Sequence, residues 1–220
     1  MMSESKIQID RNALRTLKKI LNLGVDGIGT LSGAKALGDR YLHNASFGSK
    51  LERVDALVKR EGRKNFASGF LASLGGIVTL PITLPGSMAA NWTLQTRMVA
   101  AMAHIGGFDI DDPPVRLSIM LCLLGKRGKE TLNMDIEEFQ KILRRDGLSR
   151  ASNQSIHMLN QIVASQLMKM AAQKGFSRIG KVVPLFGGIL GGTIDYLSGK
   201  DTAAFARELF QLDQQSASPD

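Results

Sequence analysis

The pattern of polar and apolar positions changes most sharply at residues 65–96. This stretch reads NFASGFLASLGGIVTLPITLPGSMAANWTLQT and contains no charged residue. It follows the basic segment KREGRK (Lys59 to Lys64) and ends at Arg97, whereas charge is scattered through the rest of the chain. So long an uncharged, largely apolar stretch is expected to be buried in protein, to meet lipid, or both.

Two prolines divide this segment into a helical hairpin. Pro81 and Pro85 each lack a backbone N–H and clash with the preceding turn, which excludes one continuous helix. We expect helices at 66–80 and 88–104, joined by the tip LPITLPG. At the helical rise per residue these arms are about 22 and 25 Å long. Both are shorter than the roughly 30 Å hydrocarbon core of a bilayer. Burial in a soluble core is favoured over shallow or re-entrant membrane contact, and a spanning hairpin comes last.

Apolar residues recur at helical spacing along most of the remaining chain. Helices are predicted at 11–24, 31–42, 51–64, 115–125, 137–147 and 153–174. Ser49 is a candidate N-cap for the third of these. Asp111 or Asp112, followed by proline, marks the start of the fourth. The segment from Asp135 to Glu138 has the spacing of a capping box.

Glycines and polar runs mark the predicted ends of these helices. The glycines at 24, 125 and 175 are expected to end helices, and KRGKETLNM (126–134) to form a polar link. The last apolar unit, residues 179–200, has glycines four apart at 187 and 191 and at 188 and 192. This spacing lets another helix approach closely.

The predicted fold is all-α. No strand-like alternation persists, so we expect a single compact bundle of about eight or nine helices with the glycine-rich apolar hairpin at its centre. One domain is placed at residues 1–210, followed by a disordered tail at 211–220.

Composition agrees with a helical core and adds a positive charge. The chain is 44% apolar but only 5% aromatic, with ten methionines. Its formal net charge is +8, and residues 1–64 hold thirteen Lys or Arg against seven Asp or Glu, a net +6. This balance favours nucleic acid, anionic lipid or an acidic protein as partner, with a solvated basic surface as the simpler interpretation.

Two features favour a cytoplasmic location. The single cysteine, Cys122, excludes an intramolecular disulfide and is predicted to be a small buried hydrophobe in the run LSIMLCLLG. The N-terminal residues MMSESKIQID lack the apolar core of a secretory signal.

The sequence contains no HExxH, CxxC, GxSxG or P-loop motif, so we predict neither an enzyme nor a cofactor or metal site. Four polar residues are candidates for burial: Gln95, Arg97, His104 and Asp195. A buried arginine needs a carboxylate partner, and we hypothesise an Arg97–Asp195 pair as a structural clasp. The alternative is a soluble enzyme whose polar cleft holds Arg97 and His104, seven positions apart on one helix face, with aspartates at 109, 111, 112 and 195.

Several motifs together resemble the EcsC family. The central run from Arg63 to Gly125 carries GGIVTLP, a proline-ended turn, QTRM, IGGFD and an aspartate-rich stop. VVPLFGGILGGTID resembles the closing glycine element of the family, and GTLSGAKALGDRYL and VDALVKREGRK resemble its opening helices. The resemblance covers about residues 27–210. It implies an accessory role in transport or secretion and supplies no catalytic residues.

The predicted function is that of a non-enzymatic accessory or interaction protein, peripheral to the cytoplasmic face of a membrane. The basic helix at 51–64 leads directly into the apolar hairpin, which suits attraction to anionic headgroups and shallow burial of the tip. The residues predicted to contact the membrane are Arg60, Arg63, Lys64, Leu80, Pro81, Ile82, Leu84 and Pro85. The expected partner is an anionic membrane surface or a membrane protein.

A basic nucleic-acid-binding module is the second alternative. The basic N-terminal third suits it, but only Tyr41 and Phe47 offer stacking groups among the basic residues there. The sequence does not specify the oligomeric state.

Overall fold

The computed structural model describes residues 11–66, 86–132, 135–144, 153–179 and 187–213, and within them it confirms the all-α fold. These residues form nine α-helices and one two-stranded sheet. The helices are α1 (Arg11–Asp26), α2 (Ala34–Leu42), α3 (Lys50–Phe66), α4 (Gly86–Ile105), α5 (Pro113–Cys122), α6 (Arg127–Leu132), α7 (Ile136–Arg144), α8 (Asn153–Ile179) and α9 (Gly187–Leu209). The strands are β1 (Gly27–Ile28) and β2 (Leu31–Ser32).

Helix α4 is the centre of the bundle. Every side chain from Met88 to Ala103 is buried, and α4 packs against α1, α2, α3, α5 and α9. A helix that is largely apolar, with Arg97 as its one Lys, Arg, Asp or Glu, belongs in a core rather than on a surface. The prediction that the second arm of the hairpin lies at the heart of the fold is therefore confirmed.

The first arm and the tip of the predicted hairpin, residues 67–85, lie outside the described residues. This range includes the predicted contact residues Leu80, Pro81, Ile82, Leu84 and Pro85. Among the helices that the structure describes, none combines the length and the apolar character needed to cross a bilayer.

Two glycines allow α1 and α2 to lie very close to α4. A Cβ atom on Gly24 would lie 2.6 Å from Cγ2 of Thr96 and 2.9 Å from the carbonyl oxygen of Thr93. A Cβ atom on Gly38 would lie 2.8 Å from the ring of His104. Helix α1 ends at Asp26, two residues beyond the end predicted near Gly24, and this glycine allows the close packing of the two helices.

A small β-hairpin connects α1 to α2, so the helix predicted from Leu31 begins only at Ala34, and Leu31 and Ser32 form β2. Gly27 and Gly29 have positive φ angles of 89° and 55°, and Ile28 pairs with Leu31. Gly29 and Thr30 thus form a two-residue turn, with glycine at the first position as type II′ turns require. The turn matters for the site because it fixes the position of Ser32, the last residue of β2.

Helix α3 begins with the N-cap predicted at Ser49. The Glu52 N–H donates to Ser49 Oγ at 3.1 Å, and the Ser49 N–H donates to Glu52 Oε2 at 3.2 Å. This reciprocal capping box satisfies two backbone donors that the helix leaves free. Val54 and Leu57 are fully buried and attach α3 to the core.

Three predicted boundaries need correction. The polar link at 126–134 contains α6, and α8 runs through Gly175 to Ile179. An isolated glycine weakens a helix by about 1 kcal/mol and does not by itself end it. The predicted tail also begins too early, because Leu212 is buried and Gln211 donates to Gln140 Oε1 at 2.6 Å. Residues 214–220 lie outside the described residues.

We expect Gly24→Ala to destabilise the protein by about 1–3 kcal/mol, because the added methyl group meets the backbone of α4 and cannot be accommodated without moving a helix. Gly199→Ala in α9 is the matched control, since a Cβ there has no atom within 4 Å. Its unfolding free energy should be unchanged or rise by up to about 1 kcal/mol, as helix propensity predicts. Urea unfolding of both variants measures the difference, and equal effects would contradict the close packing of α1 on α4.

Candidate functional site

The side chain of Arg97 is the most buried cation in the described part of the chain, with 2% of the residue exposed. Its NH1 group donates to Glu61 Oε2 at 2.9 Å, which joins α4 to α3. Its Nε donates to the Ser32 carbonyl at 2.5 Å and its NH2 donates to Ser32 Oγ at 3.0 Å. Arg97 therefore ties three elements together: α4, α3 and β2.

Glu61, rather than the hypothesised Asp195, is the carboxylate that the structure places on Arg97. Asp195 lies in α9, but its side chain lies outside the described residues. The sequence holds a signal for Glu61: it continues the buried face of α3, three and four residues per step, from Val54 and Leu57. The basic run around Glu61 concealed this, because such a run indicates a solvated face.

Burial lowers the pKa of Arg97, while the Glu61 carboxylate acts in the opposite direction. A guanidinium group stays protonated in proteins, so the pair is ionic. Arg40 is a second cation at this place, since its NH2 also donates to Ser32 Oγ. Its positive charge adds to the lowering of the pKa of Arg97.

His104, another predicted buried residue, is only partly buried. Its Nε2 lies 2.7 Å from Asp39 Oδ1, with 20% of the His104 side chain and 40% of the Asp39 side chain exposed. This hydrogen bond lowers the pKa of the Asp39 carboxyl more than its slight desolvation raises it. As predicted, Arg97 and His104 share one side of α4, and each contacts the β2–α2 unit.

Gln95 lies on a different side of α4, towards α9. Its Nε2 donates to Asn91 Oδ1 at 3.1 Å, and the Thr202 hydroxyl donates to its Oε1 at 2.8 Å. Ser198 lies 3.5 Å from the Gln95 amide nitrogen and, with Thr202, also lines a cavity of about 410 Å³. Lys126 and Asp201, on the wall of this cavity, form an ion pair at 3.5 Å.

Of the three membrane-contact residues predicted in α3, the structure describes the side chain of Arg60. Arg60 is exposed, and so is the neighbouring Lys59. Arg63 and Lys64 continue the same helix, but their side chains lie outside the described residues. Asp55, one turn earlier, forms an ion pair with Arg207 of α9.

The aspartates before α5 do not join Arg97. Asp111 accepts from Arg116 at 3.2 Å, and Asp109 accepts from the Asp111 N–H at 3.0 Å. Desolvation, and then the charge of Asp109, raise the pKa of Asp112.

Cys122 is fully buried, as predicted, and burial raises the pKa of its thiol. Within the described ranges, no group of three or more His, Cys, Asp or Glu could hold a metal ion.

Comparison with known proteins identifies the family. The model of the EcsC protein family matches residues 12–212, which is most of the chain. The protein therefore belongs to the EcsC family, as the resemblance of its motifs indicated. No curated protein and no solved structure matches the chain.

We expect Glu61→Gln to destabilise the protein by about 3–5 kcal/mol, because it leaves the buried Arg97 without a counter-charge. The exposed Glu130→Gln is the control for a lost carboxylate, with an expected change below about 0.5 kcal/mol. The double variant Glu61→Leu/Arg97→Met should recover most of the loss, since it removes both buried charges. Denaturant unfolding of these variants, together with the single variants Glu61→Leu and Arg97→Met, completes the cycle. A loss in the double variant equal to the sum of the losses in its two single variants would refute the pairing.

The Asp39–His104 pair predicts a small pH dependence of stability. Because the pKa of Asp39 is lower when folded, its contribution is present above the unfolded pKa of about 3.9 and is lost as pH falls through the folded value. Asp39→Asn should therefore cost less than about 1 kcal/mol near neutral pH, as partly exposed pairs do, and the difference from wild type should vanish in acid. Urea unfolding from pH 7 to pH 2, with Asp26→Asn as control, measures this; a constant difference would contradict it.

Proposed function

We propose that this EcsC family protein is a non-enzymatic accessory protein that acts at an anionic membrane surface on the cytoplasmic side. Its task in transport or secretion is proposed from the family resemblance. The observation that carries the membrane proposal is the two-sided character of α3. One side of this helix is fixed in the core, and its opposite side presents cations at the end that leads into the charge-free residues 67–85.

The core side of α3 fixes the orientation of its cations. Val54 and Leu57 are fully buried, and Glu61 is held by Arg97. Lys59 and Arg60 are exposed on the other side. Arg63 and Lys64 follow Arg60 by three and four residues in the same helix, which is the spacing of neighbours on one helix face.

Four cations at one helix end suit an anionic lipid surface. Each basic residue near such a surface contributes about 1 kcal/mol of attraction, which is screened over a Debye length of about 8 Å at physiological salt. The residues that follow, 65–96, carry no charge. Among them Leu80, Pro81, Ile82, Leu84 and Pro85 are the residues proposed to enter the headgroup region, where apolar side chains add to electrostatic attraction.

The buried polar residues support a structural rather than a catalytic role. Arg97 directs its donors to Glu61 and Ser32, and Gln95 is bonded to Asn91 and Thr202. A catalytic group has to reach a substrate, whereas these side chains make their hydrogen bonds inside the bundle.

The test is flotation of the purified full-length protein with vesicles of phosphatidylcholine, with and without phosphatidylglycerol, at low and high salt. We expect binding that requires the anionic lipid and weakens with salt. Arg60→Glu/Arg63→Glu/Lys64→Glu should reduce binding more than about 100-fold, from roughly 1 kcal/mol per cation lost and further repulsion.

The matched control is Lys18→Glu/Lys141→Glu/Lys169→Glu, which makes the same change in net charge at exposed lysines of α1, α7 and α8. It should retain most of the binding. Equal loss in both triple variants would assign the binding to overall charge, and absence of binding by the wild type would refute the proposal.

A further inference from the structure

A second cavity, of about 200 Å³, lies between α2, the connection after it, and α3. A space of this size is large enough for a phosphate group and a few carbon atoms. The residues around it are Leu37, Arg40, Tyr41, Asn44, Phe47, Ala56 and Arg60. Its wall thus combines two guanidinium groups with apolar and aromatic side chains.

The two arginines of this cavity carry an uncompensated positive charge. The nearest carboxylates are engaged elsewhere: Asp39 with His104, and Glu61 with the buried Arg97. Among the described residues, no carboxylate forms an ion pair with Arg40 or Arg60. The positive charge of Arg40 therefore acts on Arg97, and the charges of Arg40 and Arg60 both act on Tyr41.

Arg40 is held in place before any ligand arrives. Its Nε donates to the Ala36 carbonyl at 3.3 Å and its NH2 donates to Ser32 Oγ. The side chain is nevertheless exposed, and its remaining N–H groups have no partner in the described part of the chain. A positioned guanidinium with free donors matches the oxygens of a phosphate better than a flexible ammonium group does.

The hydroxyl group of Tyr41 is the second, independent observation. It is shielded from solvent, with 7% of the residue exposed, and no described residue meets it in full hydrogen-bond geometry. The Arg60 guanidinium is near enough to oppose the rise of its pKa. Desolvation, and then the charge of Glu61, raise the pKa of Tyr41, so the hydroxyl keeps its proton and can donate it to an acceptor. A buried hydroxyl without a partner costs about 1–3 kcal/mol, and a ligand oxygen would remove this cost.

We propose that this cavity binds a phosphate group that carries an apolar moiety, with Arg40 and Arg60 on the phosphate oxygens and the Tyr41 hydroxyl as a further donor. The apolar part lies against Phe47, whose ring stacks on that of Tyr41 at 6.0 Å between centroids, and against Leu37. A lipid headgroup and a soluble phosphate ester share this chemistry. The lipid source rests on the proposed function, whereas the phosphate site itself does not.

The experiment is calorimetric titration of the full-length protein with dihexanoyl phosphatidic acid below its aggregation concentration. Inorganic phosphate and dihexanoyl phosphatidylcholine are the comparison probes. We expect the phosphatidic acid to bind, with Arg40→Gln and Arg60→Gln each weakening it about tenfold or more, as lost charged hydrogen bonds do. Lys35→Gln and Lys18→Gln, at exposed lysines of α2 and α1, remove the same charge and should change the affinity less than about threefold.

Tyr41→Phe separates ligand binding from folding. The substitution removes an unpartnered buried hydroxyl, so the free protein should be equally stable or more stable. Binding of the short-chain phosphatidic acid should nevertheless weaken about tenfold. Unchanged affinity in Tyr41→Phe, or losses equal to those of the lysine controls in the arginine variants, would overturn the assignment.

The outcomes also separate this inference from the proposed function. Vesicle flotation without binding of phosphatidic acid or phosphate would refute the cavity site and leave the membrane proposal standing. Binding of phosphatidic acid without flotation would refute the membrane proposal, leave the cavity site standing and assign that site to a soluble phosphate ester. Equal affinity for inorganic phosphate and for phosphatidic acid would refute the apolar part of the proposed ligand.

Discussion

The burial of one positive charge in the central helix is the constraint on which the described structure depends. Isolated in a low-dielectric core, the guanidinium of Arg97 would cost several kcal/mol. Glu61 compensates the charge, and Ser32 accepts two further hydrogen bonds. Three elements that are distant in sequence are thereby held to a single arrangement, because any sliding of α3 or β2 along α4 would break contacts that the buried charge requires. Apolar packing alone tolerates such sliding far better, since it has no preferred direction.

Features set by local sequence could be predicted, and features set by distant partners could not. The charge-free run predicted α4, the Ser49 cap predicted the start of α3, and Pro113 predicted the start of α5. Each of these signals acts within a few residues. The partner of Arg97 depends on which helix faces α4, which no local pattern reveals. Asp195 was the more visible choice, as an isolated acid in an apolar unit, whereas Glu61 stood in a basic run. The spacing of Glu61 from Val54 and Leu57 was the better signal for a buried carboxylate, because position on a helix face decides burial.

The role of each glycine was also ambiguous in the sequence, for a different physical reason. A glycine can end a helix, permit a turn, or let two helices approach, and only the surrounding structure distinguishes these roles. Gly29 permits a turn through its positive φ, while Gly24 and Gly38 let α1 and α2 reach α4. Helices α1 and α8 therefore continue past Gly24 and Gly175, where the sequence predicted them to end. The cavity beside Tyr41 was equally inaccessible to sequence reasoning, since three successive elements contribute to its wall.

The distribution of cations around Glu61 argues against treating the net charge of +8 as a uniform solvated surface. Arg97 is neutralised inside the core, where its role is structural. Arg40 and Arg60 lie just outside it. The charge of Arg40 acts on Arg97, the charges of both act on Tyr41, and neither forms an ion pair with a carboxylate among the described residues. Like charges that lie close together repel. Arg40 and Arg60 stay together because each belongs to a helix, α2 or α3, that packs into the core. An anion that enters between them relieves this repulsion and partners the Tyr41 hydroxyl at the same time, so the electrostatic and the hydrogen-bonding requirements of this corner of the bundle are met by one kind of ligand.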